Sequence, residues 1–111
     1  MEEKTLKEVC ELVGVTRRAV QGYEDAGLVA ATGRNKYGHL LYDETAIEKI
    51  EEIKQYQDFG FSIKEIQILQ TLAKEKCLEM LENRLSLMEL KLQGMQENIR
   101  KLEQLIAAKR Q

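Results

Sequence analysis

From Leu78 onward, apolar side chains return alternately every three and four residues: Leu78, Leu81, Leu85, Met88, Leu92, Met95, Ile99, Leu102 and Ile106. This is an unbroken heptad repeat, and it predicts one long helix with a single apolar seam. At 1.5 Å per residue the seam spans roughly 40 Å, more than the rest of so small a chain can cover. Burying its nine side chains against a partner contributes on the order of 15–25 kcal/mol before ordering costs, so the seam predicts a homodimer. The alternative is a helix folded back on its own chain. Taking Leu78 as position a, the e positions are Glu82, Glu89, Gln96 and Glu103, and the g positions include Arg84 and Lys91. Opposite charges at e and g pair best in a parallel coil.

The N-terminal part has shorter periods. Leu6, Val9, Cys10 and Val13 recur with helical spacing between Thr5 and Gly14. Thr5 with Glu8, and Ser62 with Glu65, fit the capping box, in which a hydroxyl and a carboxylate satisfy free backbone donors at a helix start. Thr16 and Asp43 are single caps. A second helix runs from Thr16 to about Ala26, closed by Gly27. Only Gly14 and Val15 separate the two helices, which is helix-turn-helix spacing.

Residues 28–42 lose the helical period. Thr32-Gly33-Arg34-Asn35-Lys36-Tyr37-Gly38 is polar and glycine-bounded, and His39-Leu40-Leu41-Tyr42 suits a short strand, so a two-stranded wing is predicted. A third helix then opens at Asp43, with Ile47, Ile50, Ile53 and Tyr56 inward, and ends at Gly60. A fourth opens at Ser62 with Ile63, Ile66, Ile68 and Leu69 as its apolar set.

Composition narrows the function. In 111 residues there are two cysteines, one histidine, no tryptophan and no proline. Two cysteines are too few for a disulfide scaffold and fit a reducing compartment. So few nucleophiles, bases and ligands argue against an enzyme. The start Met1-Glu2-Glu3-Lys4 opens no apolar signal segment, and no stretch reads as a membrane span, so a cytoplasmic location is expected. Residues 1–73 carry nine basic and thirteen acidic side chains, net −4; residues 74–111 carry eight and six, net +2. Any nucleic-acid contact must therefore come from local placement of cations.

Four segments taken together carry a resemblance. Gly14-Val15-Thr16 opens a helix, Tyr23-Glu24-Asp25-Ala26-Gly27-Leu28 closes it, Tyr42-Asp43 opens the next, and Gly60-Phe61-Ser62-Ile63-Lys64-Glu65-Ile66 precedes the fourth. In this order they resemble the DNA-binding domain of MerR-family transcription regulators over residues 4 to about 72. The expected architecture is mainly all-α: a winged helix-turn-helix head over 1–73 and a dimerisation coiled coil over 74–111.

The resemblance implies a homodimer on double-stranded DNA, with the second helix in the major groove and an antiparallel coil, against the direction that the e and g charges favour. It implies a palindromic promoter operator and distortion of an overlong spacer so that RNA polymerase reads both promoter elements. The residues carried over are Thr16, Arg17, Arg18, Gln21 and Tyr23 on the second helix, Arg34, Lys36, Tyr37 and His39 in the wing, and Ser62 and Lys64 at the fourth helix. An arginine at a recognition-helix start can grip a guanine edge, worth roughly 1–3 kcal/mol of discrimination. Tyr23 and Tyr42 fit the core as well as the DNA face. The chain departs from the family at Gln21-Gly22-Tyr23, where Arg-Tyr-Tyr is usual, and at His39-Leu40-Leu41-Tyr42, where Tyr-Arg-Tyr is common.

The resemblance also implies an effector-binding segment beyond the coil in most members. With Gln111 only a few residues past Ile106, a short form lacking such a domain is expected. Cys77 falls where metal-sensing members have one cysteine, but no cysteine or histidine follows it, so no metal site is completed and no cofactor is expected. Cys77 is read as a helix-flank residue and Cys10 as core. Two other functions fit the same residues: a coiled-coil protein-interaction module with a degenerate head, and an excisionase-like architectural DNA-binding protein.

Overall fold

Thr5 ends one element and starts another. In the computed structural model, which describes residues 3–111, strand β1 (Lys4–Thr5) leads into helix α1 (Leu6–Val13), followed by α2 (Arg17–Asp25), β2 (Gly33–Arg34), β3 (Leu40–Tyr42), α3 (Glu44–Asp58), α4 (Ile63–Thr71) and α5 (Lys74–Lys109). The chain divides into two compact units, residues 1–71 and 72–111. Met1 and Glu2 lie outside the described residues, and with them half of the expected charged start.

The capping chemistry takes the predicted form. The Thr5 hydroxyl accepts from the Glu8 N–H while a Glu8 carboxylate oxygen accepts from the Thr5 N–H at 3.0 Å. These bonds stabilise the charged carboxylate and hold its pKa below the usual value. Ser62 and Glu65 exchange the same pair of bonds at 2.9 and 3.1 Å. Thr16 caps α2 and Asp43 caps α3, each accepting from the backbone N–H three residues on. Between α1 and α2 the chain turns on Gly14, at φ +79°, whose N–H donates to the Cys10 carbonyl at 2.9 Å. A side chain there would be strained, which is why glycine closes the helix.

The wing has three strands where two were predicted. β3 lies in the middle, paired antiparallel with β2 on one side and with β1 on the other, Lys4 opposite Tyr42 and Thr5 opposite Leu41. A two-residue strand that runs straight into a helix leaves no alternating pattern to read.

The core of the first unit is built from Val9, Val20, Tyr23, Val29, Tyr42, Ala46, Ile47, Ile50, Ile53, Phe61, Ile66 and Leu69. Helix α3 lies at its centre, packed against α1, α2, α4 and β3. Tyr56 is half-buried and meets Phe61 edge-on, ring centroids 6.0 Å apart. Two expectations fail here. Ile68 is 45% exposed rather than inward, because two residues along a helix from Ile66 is a turn of about 200°. Cys10 is half-buried rather than core, and desolvation pushes its thiol pKa up.

The second unit is the single helix α5 of 36 residues, with no buried residue along it. Leu92 is 59% and Met95 60% exposed. Among the described residues no helix is long and apolar enough to cross a membrane.

Candidate nucleic-acid interface

Helix α2 is divided lengthwise. Its inner face buries Val20 and Tyr23, while Thr16, Arg17, Arg18 and Gln21 are exposed. Arg17 and Arg18 form no ion pair among the described residues, so their guanidinium donors are available to a ligand. Thr16 spends an oxygen lone pair on the Ala19 N–H at 3.0 Å but keeps its hydroxyl proton. Free backbone donors of the first turn add positive potential at the same end. Tyr23, expected among the DNA contacts, is 2% exposed, and its hydroxyl donates to Gln57 Oε1 at 2.6 Å. It belongs to the core.

The wing tip is organised by Asn35, a residue that the pattern of the sequence does not mark. Asn35 Oδ1 accepts from the Tyr37 and His39 N–H groups at 2.9 and 3.0 Å, and the Asn35 N–H donates to the His39 carbonyl. This side-chain turn holds Lys36, Tyr37 and His39 outward. Tyr37 is 71% exposed, with Lys36 Nζ 5.2 Å from its ring centroid and the His39 ring at 6.3 Å. Arg34 donates one bond to the Gly38 carbonyl at 2.9 Å, bracing the turn with part of its fork. A surface offering an aromatic ring between two nitrogenous side chains suits a sugar-phosphate backbone.

A groove of about 280 Å³, lined by Thr5, Leu6, Lys7, Arg17, His39 and Leu40, brings the start of α2 and the wing together. Lys7 joins the expected cations here; a lone lysine on an exposed helical face carries no signal of its own. Ser62 and Lys64 are exposed at the start of α4. Helix α4 is tied to α2 through Gln67, whose Nε2 donates to the Ala26 carbonyl at 2.7 Å.

A second and larger groove, about 760 Å³, is lined by Leu12, Val13, Glu48, Glu51, Glu52, Lys54, Gln55 and Asp58. Its only cation, Lys54, is already paired with Asp58 at 3.0 Å. Four carboxylates against one lysine repel phosphate, and neither arginine of α2 lines this groove. Among the described residues no group of three or more His, Cys, Asp or Glu could hold a metal ion.

The sequence pattern of the MerR HTH family regulatory proteins matches residues 4–72. The chain belongs to the MerR family. Residues 4–72 are the DNA-binding domain of a transcription regulator, not an enzyme. Among curated relatives, the nodulation protein NolA of Bradyrhizobium elkanii is 39% identical over 59 residues, covering 53% of this chain and 27% of its own length. The HTH-type transcriptional regulator YfmP of Bacillus subtilis is 34% identical over 68 residues, covering 60% of this chain and 49% of its own. This MerR-family chain thus spans about a quarter of one relative and half of the other. Among solved structures, HiNmlR, a MerR family regulator lacking the sensor domain and bound to promoter DNA, superposes with a TM-score of 0.74 over 96% of this chain and 89% of its own. At 19% identity that likeness establishes the shared fold.

Proposed function

We propose that this MerR-family chain acts as a homodimer on a palindromic promoter operator and regulates transcription by distorting the spacer for RNA polymerase. The observation that carries this reading is the start of α2: two exposed arginines on the outer face of a helix whose inner face is buried. Thr16, Arg17, Arg18 and Gln21 read base edges in the major groove. Arg34, Lys36, Tyr37 and His39 hold the flanking phosphates, with Ser62, Lys64 and Lys7 extending that grip. Two heads present these faces to successive turns of one duplex when the seams of their α5 helices pair, in the antiparallel sense that the family implies.

The exposed seam supports this reading over an architectural protein with a winged head alone, for which a 36-residue helix has no use. A protein-interaction module does not require two arginines on the outer face of a helix start.

Selection of bound duplexes from a randomised library, followed by titration in increasing salt, tests the proposal. Binding weakens steeply with salt, as phosphate contacts require. Arg17→Ala relaxes the preference at one position in each half-site, at a cost of about 1–3 kcal/mol. Lys36→Ala weakens binding to every sequence and lowers the salt slope by about one. Both variants binding like the parent, or no duplex bound at low salt, would remove the assignment.

A further inference from the structure

The last turn of α2 is held by three side-chain hydrogen bonds from three different elements. Tyr42 on β3 donates its hydroxyl to Glu24 Oε1 at 2.5 Å. Gln57 on α3 accepts from the Tyr23 hydroxyl at 2.6 Å. Gln67 on α4 donates to the carbonyl of Ala26, the residue that ends α2, at 2.7 Å. Tyr23 and Tyr42 are both essentially buried, so their two hydroxyl bonds are part-buried and partly shielded from water, whereas the Gln67 bond is exposed. Burial and the Glu24 carboxylate also keep the Tyr42 phenol protonated, and so donating, well beyond its ordinary range.

Helix α2 needs this. It has nine residues, too few to be stable alone, and Gly22 sits in its interior with no atom within 4 Å of where a Cβ would stand. Packing of Val20 and the Tyr23 ring holds the helix to the core but is indifferent to small rotations, because apolar contact has no direction. Hydrogen bonds do have direction, and base-edge contacts by arginine demand a fixed approach.

Building on the reading above, we propose that Tyr42, Gln57 and Gln67 are positioning residues that set the rotation and tilt of the recognition helix. They thereby determine sequence discrimination rather than overall affinity for DNA. Because Tyr42 lies on a wing strand, the same contact couples the seat of the wing on the backbone to the aim of α2.

The test uses the full chain, with a duplex selected from a randomised library as specific probe and a scrambled duplex as competitor. The readout is the ratio of the two dissociation constants. Tyr42→Phe and Gln57→Leu each lower this ratio about fivefold to tenfold, the value of one directed hydrogen bond, and leave scrambled-duplex affinity within about twofold. Gln57→Glu keeps an acceptor for the Tyr23 hydroxyl and retains the parental ratio. Gln57 is exposed, so its variants stay informative even where Tyr42→Phe unfolds the head. Unchanged ratios in Tyr42→Phe and Gln57→Leu, or equal losses in Gln57→Leu and Gln57→Glu, would overturn the positioning role while the proposed function stands. A parent chain that binds both duplexes alike overturns the function itself.

Discussion

Leu92→Lys is expected to convert the dimer into single chains at micromolar concentration, read by analytical ultracentrifugation, and to cut operator affinity by about 10²- to 10⁴-fold. Leu92 is the central a residue of the heptad seam and is 59% exposed. The substitution places two ammonium groups inside a dimer interface that holds no acidic seam residue to pair them. Once the chains separate, the second head no longer binds at the high effective concentration that tethering supplies, which is the source of the expected loss. Gln93→Lys, one residue along and on the outer side of the coil, leaves both properties unchanged. A dimeric Leu92→Lys variant would refute the seam. The direction of the pair is read from Cys77, just before the first heptad residue. Parallel helices bring the two thiols together, whereas antiparallel helices separate them by roughly 40 Å, far beyond disulfide reach. Mild oxidation is expected to yield no linked dimer.

Ile50→Ala is expected to lower the melting temperature of the head by roughly 10–30 °C. Ile50 is fully buried on α3, the helix that meets α1, α2, α4 and β3. Truncating such a residue costs about 2–5 kcal/mol in lost transfer energy and cavity. A head of this size commands roughly 4–10 kcal/mol in total, so the loss is a large share of its stability. The four tyrosines, Tyr23, Tyr37, Tyr42 and Tyr56, all lie before residue 72, so tyrosine fluorescence follows this unit without interference from α5. An unchanged tyrosine transition would show that α3 is not the centre of the core.

Much of this was readable from the chain because the signals were local. Thr5 with Glu8, Ser62 with Glu65 and the left-handed Gly14 mark helix ends through chemistry confined to a few residues. The heptads of α5 mark a helix through repetition. What stayed hidden depends on distant partners. Lys4–Thr5 becomes a strand only because β3 arrives beside it. Tyr23 reads equally well as a DNA contact or as core until Gln57, 34 residues away, is seen to take its hydroxyl. Asn35 was hidden for the opposite reason, since its turn is local but polar loops offer many residues able to make one. Lys7 became visible only when α1 and the wing were seen to share a groove with Arg17.

The acidic channel along α1 and α3 has a consequence for how the protein meets a duplex. A molecule of net charge −2 is not drawn to DNA from afar by its overall charge. Within about a Debye length, the uneven field acts as a torque. Collisions led by Glu48, Glu51 and Glu52 are turned away, and those led by the arginine edge are retained. The bias acts on orientation alone and is the same for every sequence, so it favours productive encounter without adding to discrimination.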